Sequence, residues 1–180
     1  MTTAQVGSSL SSSEAYRQKM FKLLGDGNAL EVMGQTASKL DDIVEKNSVS
    51  VLRTRPFADK WTPNEVIGHL TDTEWVYGYR FRLILSEDNP TIVGTQQDAW
   101  VTALRYNDSD PRELLEIFRA LRELNLATWR QTSAADLKRT GQHNERGPES
   151  LDTMLRLLAG HDLNHLEQIN RYIQAIHAGK

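Results

Sequence analysis

The chain has 180 residues, a formal net charge of −3 and no cysteine. One domain fits this length, with a core that needs no covalent cross-link. The missing cysteines exclude disulfides, thiolate nucleophiles and sulfur-based metal sites. Acidic and basic residues are mixed along the chain without forming a basic stripe, and no apolar run approaches the roughly 20 residues of a membrane span. We therefore expect a cytoplasmic protein with neither a nucleic-acid nor a membrane partner.

The first residues of the chain differ in composition from the rest. Residues 1–13 are small and polar, and they lack the basic start and apolar stretch of a secretory signal. They predict a flexible N-terminal tail. The remainder, residues 14–180, predicts a single domain.

Apolar residues recur at spacings of three and four, which is typical of helices. This spacing predicts helices over 16–24, 29–45, 62–85, 110–132 and 150–178, with a shorter helix inside 97–106. The segments 47–60 and 86–96 read as connections, and 138–148 as a loop or a short hairpin. Four long helices predict an all-α fold, a four-helix bundle with long connections.

Two of these helices carry clear start signals. Thr62-Pro63-Asn64-Glu65 has the form of a capping box, with proline at the first helical position. Asp110-Pro111 repeats that pattern at the next long helix. For this second helix the expected buried stripe follows residues at spacings of three and four: Leu114, Ile117, Leu121, Leu124 and Thr128.

Three histidines fall on predicted core faces. His161 and His165 are four residues apart, so they lie about 6 Å apart along the last helix on the stripe that packs inward. His69 lies on the inward face of the helix that Thr62 opens. These three histidines are candidates for the nitrogen ligands of one metal ion, and three ligands leave a coordination position open. The alternative is that the three rings only form hydrogen bonds in the core, which would desolvate three titratable groups without a shared partner.

Weaker signals surround these histidines. His143, Arg139 and Arg146 lie in the glycine-containing segment before the last helix, where arginines could bind an anionic group of a substrate. For His143 the alternative is an exposed loop histidine with no role. Carboxylates that could orient the histidine rings lie nearby in sequence: Asp72, Glu74, Asp162 and Glu167.

Three runs of sequence carry a family resemblance: KWTPNEVIGHLTDTE, QDAWVTALRYND and GHDLNHLEQINRYI. Together they resemble the DinB/YfiT-like family of metal-dependent enzymes, over about residues 20–177. The resemblance implies an up-down-down-up bundle with a metal site at one end of its core. It also implies that His69, His161 and His165 are the ligands, and that the protein forms a homodimer.

The same resemblance implies several activities. Relatives in this family include thiol S-transferases that use bacillithiol or mycothiol, and a mycothiol-dependent maleylpyruvate isomerase. The leading expectation is therefore a metal-dependent enzyme of the thiol S-transferase type, acting on a small electrophile with a low-molecular-weight thiol. Zinc or nickel is the expected metal. A hydrolase that uses a metal-activated water is the first alternative, and a non-catalytic metal- or ligand-binding protein of a stress response is the second.

Overall fold

A computed structural model describes the backbone of residues 3–179 and the side chains of residues 13–179. Its long helices are α1 (Thr3–Leu24), α2 (Ala29–Lys46), α4 (Pro63–Ser86), α6 (Pro111–Gln131) and α7 (Leu151–His177), and its shorter ones are α3 (Val49–Arg53) and α5 (Gln97–Leu104). The predicted helices are all present, and α3 lies within a segment read as a connection.

Helix α1 extends into the segment predicted as a tail. Its bounds begin at Thr3, because a nucleated helix gains one hydrogen bond for each residue added. The segment 3–13 is therefore helical, while residues 1–2 lie outside the described part of the chain. The flexibility expected for residues 1–13 stays a prediction.

The predicted capping box is present at the start of α4. The Glu65 amide donates to Thr62 Oγ1 at 3.1 Å, and the Thr62 amide donates to Glu65 Oε2 at 2.7 Å. At the start of α6, Asp110 accepts a hydrogen bond from the Arg112 amide at 2.8 Å. These caps set where both helices begin, and so which side chains α4 directs inward.

Two apolar clusters fill the core. The first cluster comprises Leu40, Ile43, Val44, Leu52, Val66, Ile67, Leu70, Leu114, Leu115, Phe118, Leu166, Ile169 and Tyr172. The second cluster comprises Leu24, Met33, Phe81, Ile84, Ile92, Leu126, Trp129, Leu151, Met154, Leu158 and Ala159.

The order of cluster residues along each helix gives the topology. Helices α4 and α6 run from the first cluster to the second, whereas α2 and α7 run from the second to the first. Taken in chain order, α2, α4, α6 and α7 point up, down, down and up. The predicted up-down-down-up four-helix bundle is confirmed.

A layer of buried polar side chains separates the two clusters. The polar layer consists of Thr36, Glu74, Arg122, Asn125 and Asp162. Arg122 is at its centre and donates to Asp162 at 2.5 and 3.0 Å, to Glu74 at 2.9 Å and to the Met33 carbonyl at 2.7 Å. Burial lowers the pKa of Arg122, but the charges of Asp162 and Glu74 outweigh it, and the pKa is raised overall. One cation thus ties α2, α4, α6 and α7 together.

A small sheet packs beside the bundle. Strand β1 (Thr91–Ile92) pairs in parallel with β2 (Thr140–His143), and β2 pairs antiparallel with β3 (Gly147–Ser150). The hairpin alternative for 138–148 is therefore confirmed, whereas 86–96 contains a strand where the sequence predicts only a loop. Two-residue strands carry too little periodicity to be recognised from sequence.

The expected buried stripe of α6 is wrong for two of its residues. Ile117 and Leu124 are 52% and 57% exposed, while Arg122 is 1% exposed and Asn125 is 4% exposed. The inward face follows Leu114, Phe118, Arg122, Asn125 and Trp129. Apolar spacing misplaces it because buried ion pairing puts a polar pair where the pattern expects aliphatic residues.

Within the described part of the chain, no helix combines the length and apolar character required to cross a membrane.

The expected homodimer stays a prediction.

Replacing Arg122 with Met should destabilise the fold by about 3–5 kcal/mol, because Glu74 and Asp162 would remain buried without a counter-charge. Chemical denaturation measures the change. Arg119→Met is the matched control on the same helix: its partner Asp41 is about one-third exposed, so the expected loss stays below about 1 kcal/mol. Equal losses in the two variants would contradict a central role for Arg122.

Candidate metal centre and its cavity

Helices α4 and α7 bring the three predicted histidines together. His69 Nε2 and His161 Nε2 are 3.0 Å apart, and one nitrogen from each of the three rings lies within 4.8 Å of the others. His69 and His165 are buried, and His161 is half-buried. Three nitrogens that converge this closely can share one ion after small side-chain shifts.

The ring of His165 is held by its own helix. His165 Nδ1 lies 2.7 Å from Gln168 Oε1, and Gln168 Nε2 donates to the Tyr172 hydroxyl at 2.9 Å. An amide oxygen can only accept, so Nδ1 carries the proton and Nε2 is left as the ligand atom. A carbonyl bonded to the second ring nitrogen is the usual support of a metal-bound histidine. Sequence reasoning missed Gln168, although its i+3 spacing from His165 was a usable signal.

Burial keeps the three rings neutral. Desolvation, followed by the charge of His165, lowers the pKa of His69 to about 3. Desolvation lowers the pKa of His165 to about 4 and that of His161 well below its ordinary value. Neutral imidazole is the form that binds a metal, so the donor set is ready at neutral pH.

The alternative of purely structural histidines fits less well. His161 Nδ1 is buried and has no hydrogen-bond partner among the described residues. Buried polar atoms are nearly always paired in folded proteins, so this unpaired nitrogen argues against a core in which all three rings are held by hydrogen bonds. The donors present therefore fit a divalent transition metal.

The carboxylates suggested as ring partners have other roles. Asp72 accepts a hydrogen bond from the Tyr106 hydroxyl, Glu74 and Asp162 pair with Arg122, and Glu167 is exposed. None of them forms a hydrogen bond with a histidine ring within the described structure.

The histidines lie near the boundary between the first cluster and the polar layer. On α7, His161 and His165 lie between Leu158 of the second cluster and Leu166 of the first, whereas on α4 His69 lies between Ile67 and Leu70 of the first cluster. The expected position at one end of the core stays a prediction. Grouping polar residues in one layer leaves both apolar clusters unbroken.

A cavity of about 300 Å³ opens from the histidines. His69, His161 and His165 form part of its wall, and the rest comprises Tyr16, Asp72, Thr73, Val76, Tyr77, Arg80, Thr95, Gln97, Trp100, Glu145, Arg146 and Asn164. Sequence reasoning missed Asp72 and Arg80 as cavity residues. A charged residue at an inward-facing position of α4 was the signal for Arg80.

The three weaker candidates separate in the structure. Arg146 lies in the cavity wall and pairs with Glu149 at 2.8 Å. His143 is buried in β2 and is not part of the wall. Arg139 donates to the Ile84 and Glu87 carbonyls at the end of α4, so it caps that helix and does not face the cavity.

Fold and site together define a class: an up-down-down-up helical bundle with a three-histidine candidate metal centre that opens into a cavity. A model of the DinB superfamily matches residues 33–169. The chain therefore belongs to the DinB superfamily.

Similar proteins carry names that agree with this class. The chain is 28% identical to "Putative metal-dependent hydrolase YfiT" of Bacillus subtilis, over 78% of this chain and 79% of that protein. It is 32% identical to a protein of Oceanobacillus iheyensis with the same descriptive name, over 61% of this chain and 63% of that protein, which is less than two-thirds of its length.

Solved structures show the same fold. The structure of Bacillus subtilis YfiT, described as "a probable metal-dependent hydrolase with an unusual four-helix bundle topology", matches with a TM-score of 0.78 and 25% identity, over 83% of this chain and 86% of that one. The mycothiol-dependent maleylpyruvate isomerase matches with a TM-score of 0.64 and 11% identity, over 78% of this chain and 59% of that one. This second likeness concerns the fold alone.

The His165→Ala variant should lose most of the bound metal, because one of three ligands is removed. Elemental analysis of untagged protein should find about one equivalent in the wild type and far less in the variant. His177→Ala is the matched control, since His177 is exposed near the end of the same helix. Metal content that does not change in His165→Ala would favour the purely structural reading.

Gln168→Leu should weaken metal affinity by about 10- to 100-fold, because His165 would lose the partner that fixes its ring. Competition with a chromogenic chelator measures the affinity. Gln168→Glu keeps an acceptor at the same position and should retain wild-type affinity or exceed it. Loss of affinity in both variants alike would show that packing, and not the hydrogen bond, matters at this position.

Proposed function

We propose that this protein is a metal-dependent hydrolase acting on a small substrate bound in the cavity. The observation that carries the proposal is the set of three converging imidazoles in the wall of an open cavity. A closed structural site would fill four positions from the protein, whereas three ligands leave room for water and substrate. The names of the sequence relatives support the same reaction class.

A divalent metal held by His69, His161 and His165 would supply Lewis-acid chemistry, polarising a substrate carbonyl or phosphoryl group and lowering the pKa of a coordinated water. The chain's own part is positional. Gln168 fixes the ring of His165, and burial keeps all three rings unprotonated. Uncharged donors would leave the full charge of a bound ion available to the substrate.

Asp72 is the best-placed residue in the cavity to accept a proton. It lies one turn after His69 on α4, is half-buried, and accepts a hydrogen bond from the Tyr106 hydroxyl at 2.5 Å. Burial raises the pKa of Asp72, an effect that the Tyr106 hydrogen bond partly offsets. A raised pKa makes a carboxylate a stronger base for removing a proton from attacking water.

Gly68 allows Tyr106 to reach Asp72. A Cβ built on Gly68 would lie 2.2 Å from Tyr106 Cγ, so any larger residue would push the ring away. The glycine before His69 and the tyrosine of the 3₁₀ turn Tyr106–Asp108 thus form one unit with Asp72.

Asp72→Asn should lower kcat by about 100-fold or more while leaving the metal content unchanged, because the amide cannot accept the proton. A panel of chromogenic esters, amides and phosphate esters would first identify a substrate, and steady-state kinetics would then measure the change. Asp98→Asn, at an exposed position of α5, is the control and should keep full activity. A wild-type kcat in Asp72→Asn would show that the Asp72 carboxylate does not accept a proton in the reaction.

Thiol transfer is the second candidate, and one chemical observation favours it. Three uncharged nitrogen donors would leave a bound ion strongly electrophilic, and such an ion would lower the pKa of a thiol as well as that of water. Because the chain has no cysteine, the thiol would come from a small cofactor that enters the cavity. Zinc or nickel fits the nitrogen donors of either candidate.

The two candidates differ in their requirement for an added thiol. The proposed hydrolase should release product from the substrate panel without any thiol, and the rate should be unchanged when small thiols are supplied. Mass spectrometry of the products distinguishes the outcomes. Turnover that occurs only with an added thiol, with the thiol covalently attached to the product, would show that the reaction is S-transfer and not hydrolysis.

A further inference from the structure

The cavity has a second charged region, away from the histidines. Arg80 and Arg146 both lie in its wall, together with the hydroxyl-bearing rings of Tyr16 and Tyr77. Arg80 is eleven residues after His69 on α4, which places their α-carbons about 16 Å apart along the helix. The metal ligands and the arginines therefore occupy different parts of one cavity.

Arg80 is the unusual member of this region. It is only 4% exposed, and no carboxylate lies within 4 Å of it in the described structure. Its Nη2 donates to the Val93 carbonyl at 2.7 Å, and its guanidinium lies 5.0 Å from the centre of the Tyr77 ring. A buried cation normally has a counter-charge, because desolvation without one is costly. An anionic ligand would supply it.

The neighbouring charges leave this region positive. Of the nearby carboxylates, Glu14 pairs with Arg17, and Glu149 already accepts from Arg146 through both of its oxygens, at 2.8 and 3.2 Å. Glu149 is thus the one carboxylate left to offset two guanidinium groups within the described structure. Glu145 is also in the wall but is exposed, so water screens its charge.

His143, buried in β2, lies within reach of the charges of both arginines. Burial first, and then the charges of Arg146 and Arg80, lower the pKa of His143 to about 3. Arg80 on α4 and Arg146 on the β2–β3 turn are the source of this positive field, and both lie in the cavity wall.

We propose that Arg80 and Arg146 form a subsite for an oxyanion, either a carboxylate or a phosphate, carried by the substrate at the end remote from the bond that reacts. Guanidinium groups match both oxyanions through paired hydrogen bonds. The inference rests on the proposed function for the reaction at the metal. It adds that the substrates are small anionic compounds and that Arg80 and Arg146 determine this specificity.

Anion binding can be measured without metal or catalysis. Isothermal titration of metal-free protein with butyrate, inorganic phosphate and the neutral analogue butyramide should show binding of an anion and none of the amide. Butyrate binding alone would assign a carboxylate, and phosphate binding alone a phosphate. Arg80→Met should weaken the binding affinity for the anion by roughly 10- to 100-fold. Arg82→Met, on the same helix but outside the cavity wall, should bind as the wild type does.

Binding of neither anion, equal binding of butyramide, or an unchanged affinity in Arg80→Met would each overturn the proposal. Arg80→Lys keeps the charge and should retain measurable binding even if the Met variant does not fold. A crystal of the wild type soaked with the bound anion should place it between Arg80 and Arg146, and a position elsewhere would also overturn the proposal. Anion binding that persists in a protein without hydrolytic activity would count against the proposed hydrolysis alone.

Discussion

One cation, the guanidinium of Arg122, sets the arrangement on which the rest of the molecule depends. Its contacts to Asp162 and Glu74 place α7 and α4 at a fixed height relative to each other. His161 precedes Asp162 directly, and His69 lies five residues before Glu74. The same ion pairs that align the two helices therefore bring the histidines to the same level, so that the candidate metal centre depends on a buried salt bridge outside it.

This arrangement divides the bundle into regions with different tasks. Two apolar clusters supply hydrophobic stability above and below the polar layer. The layer itself contributes less to stability than to register, which is the best-attested use of buried ionic groups. Beside the bundle, the short sheet brings the β2–β3 turn with Arg146 to the wall of the cavity. Stability, register and binding are thereby assigned to separate parts of one small domain.

Much of this could be predicted from sequence, for physical reasons. Local signals such as the Thr62 cap and the spacing of His161 and His165 correctly placed the helices and the three histidines. The face of α6 could not be read this way, because Arg122 and Asn125 face inward only in the presence of Glu74 and Asp162 from other helices. Arg139 and Arg146 looked alike in sequence, yet a three-strand pairing invisible to periodicity turns one toward α4 and the other into the cavity.

We expect His69, His161 and His165 to bind one metal ion through their Nε2 atoms. Anomalous diffraction at the absorption edge of the metal, recorded from crystals of untagged protein, tests it directly. The structure predicts a single peak at about 2.1 Å from all three Nε2 atoms, with Gln168 still bonded to His165 Nδ1. Absence of a peak between the three rings in metal-loaded crystals, or a peak bound by other residues, would contradict the account.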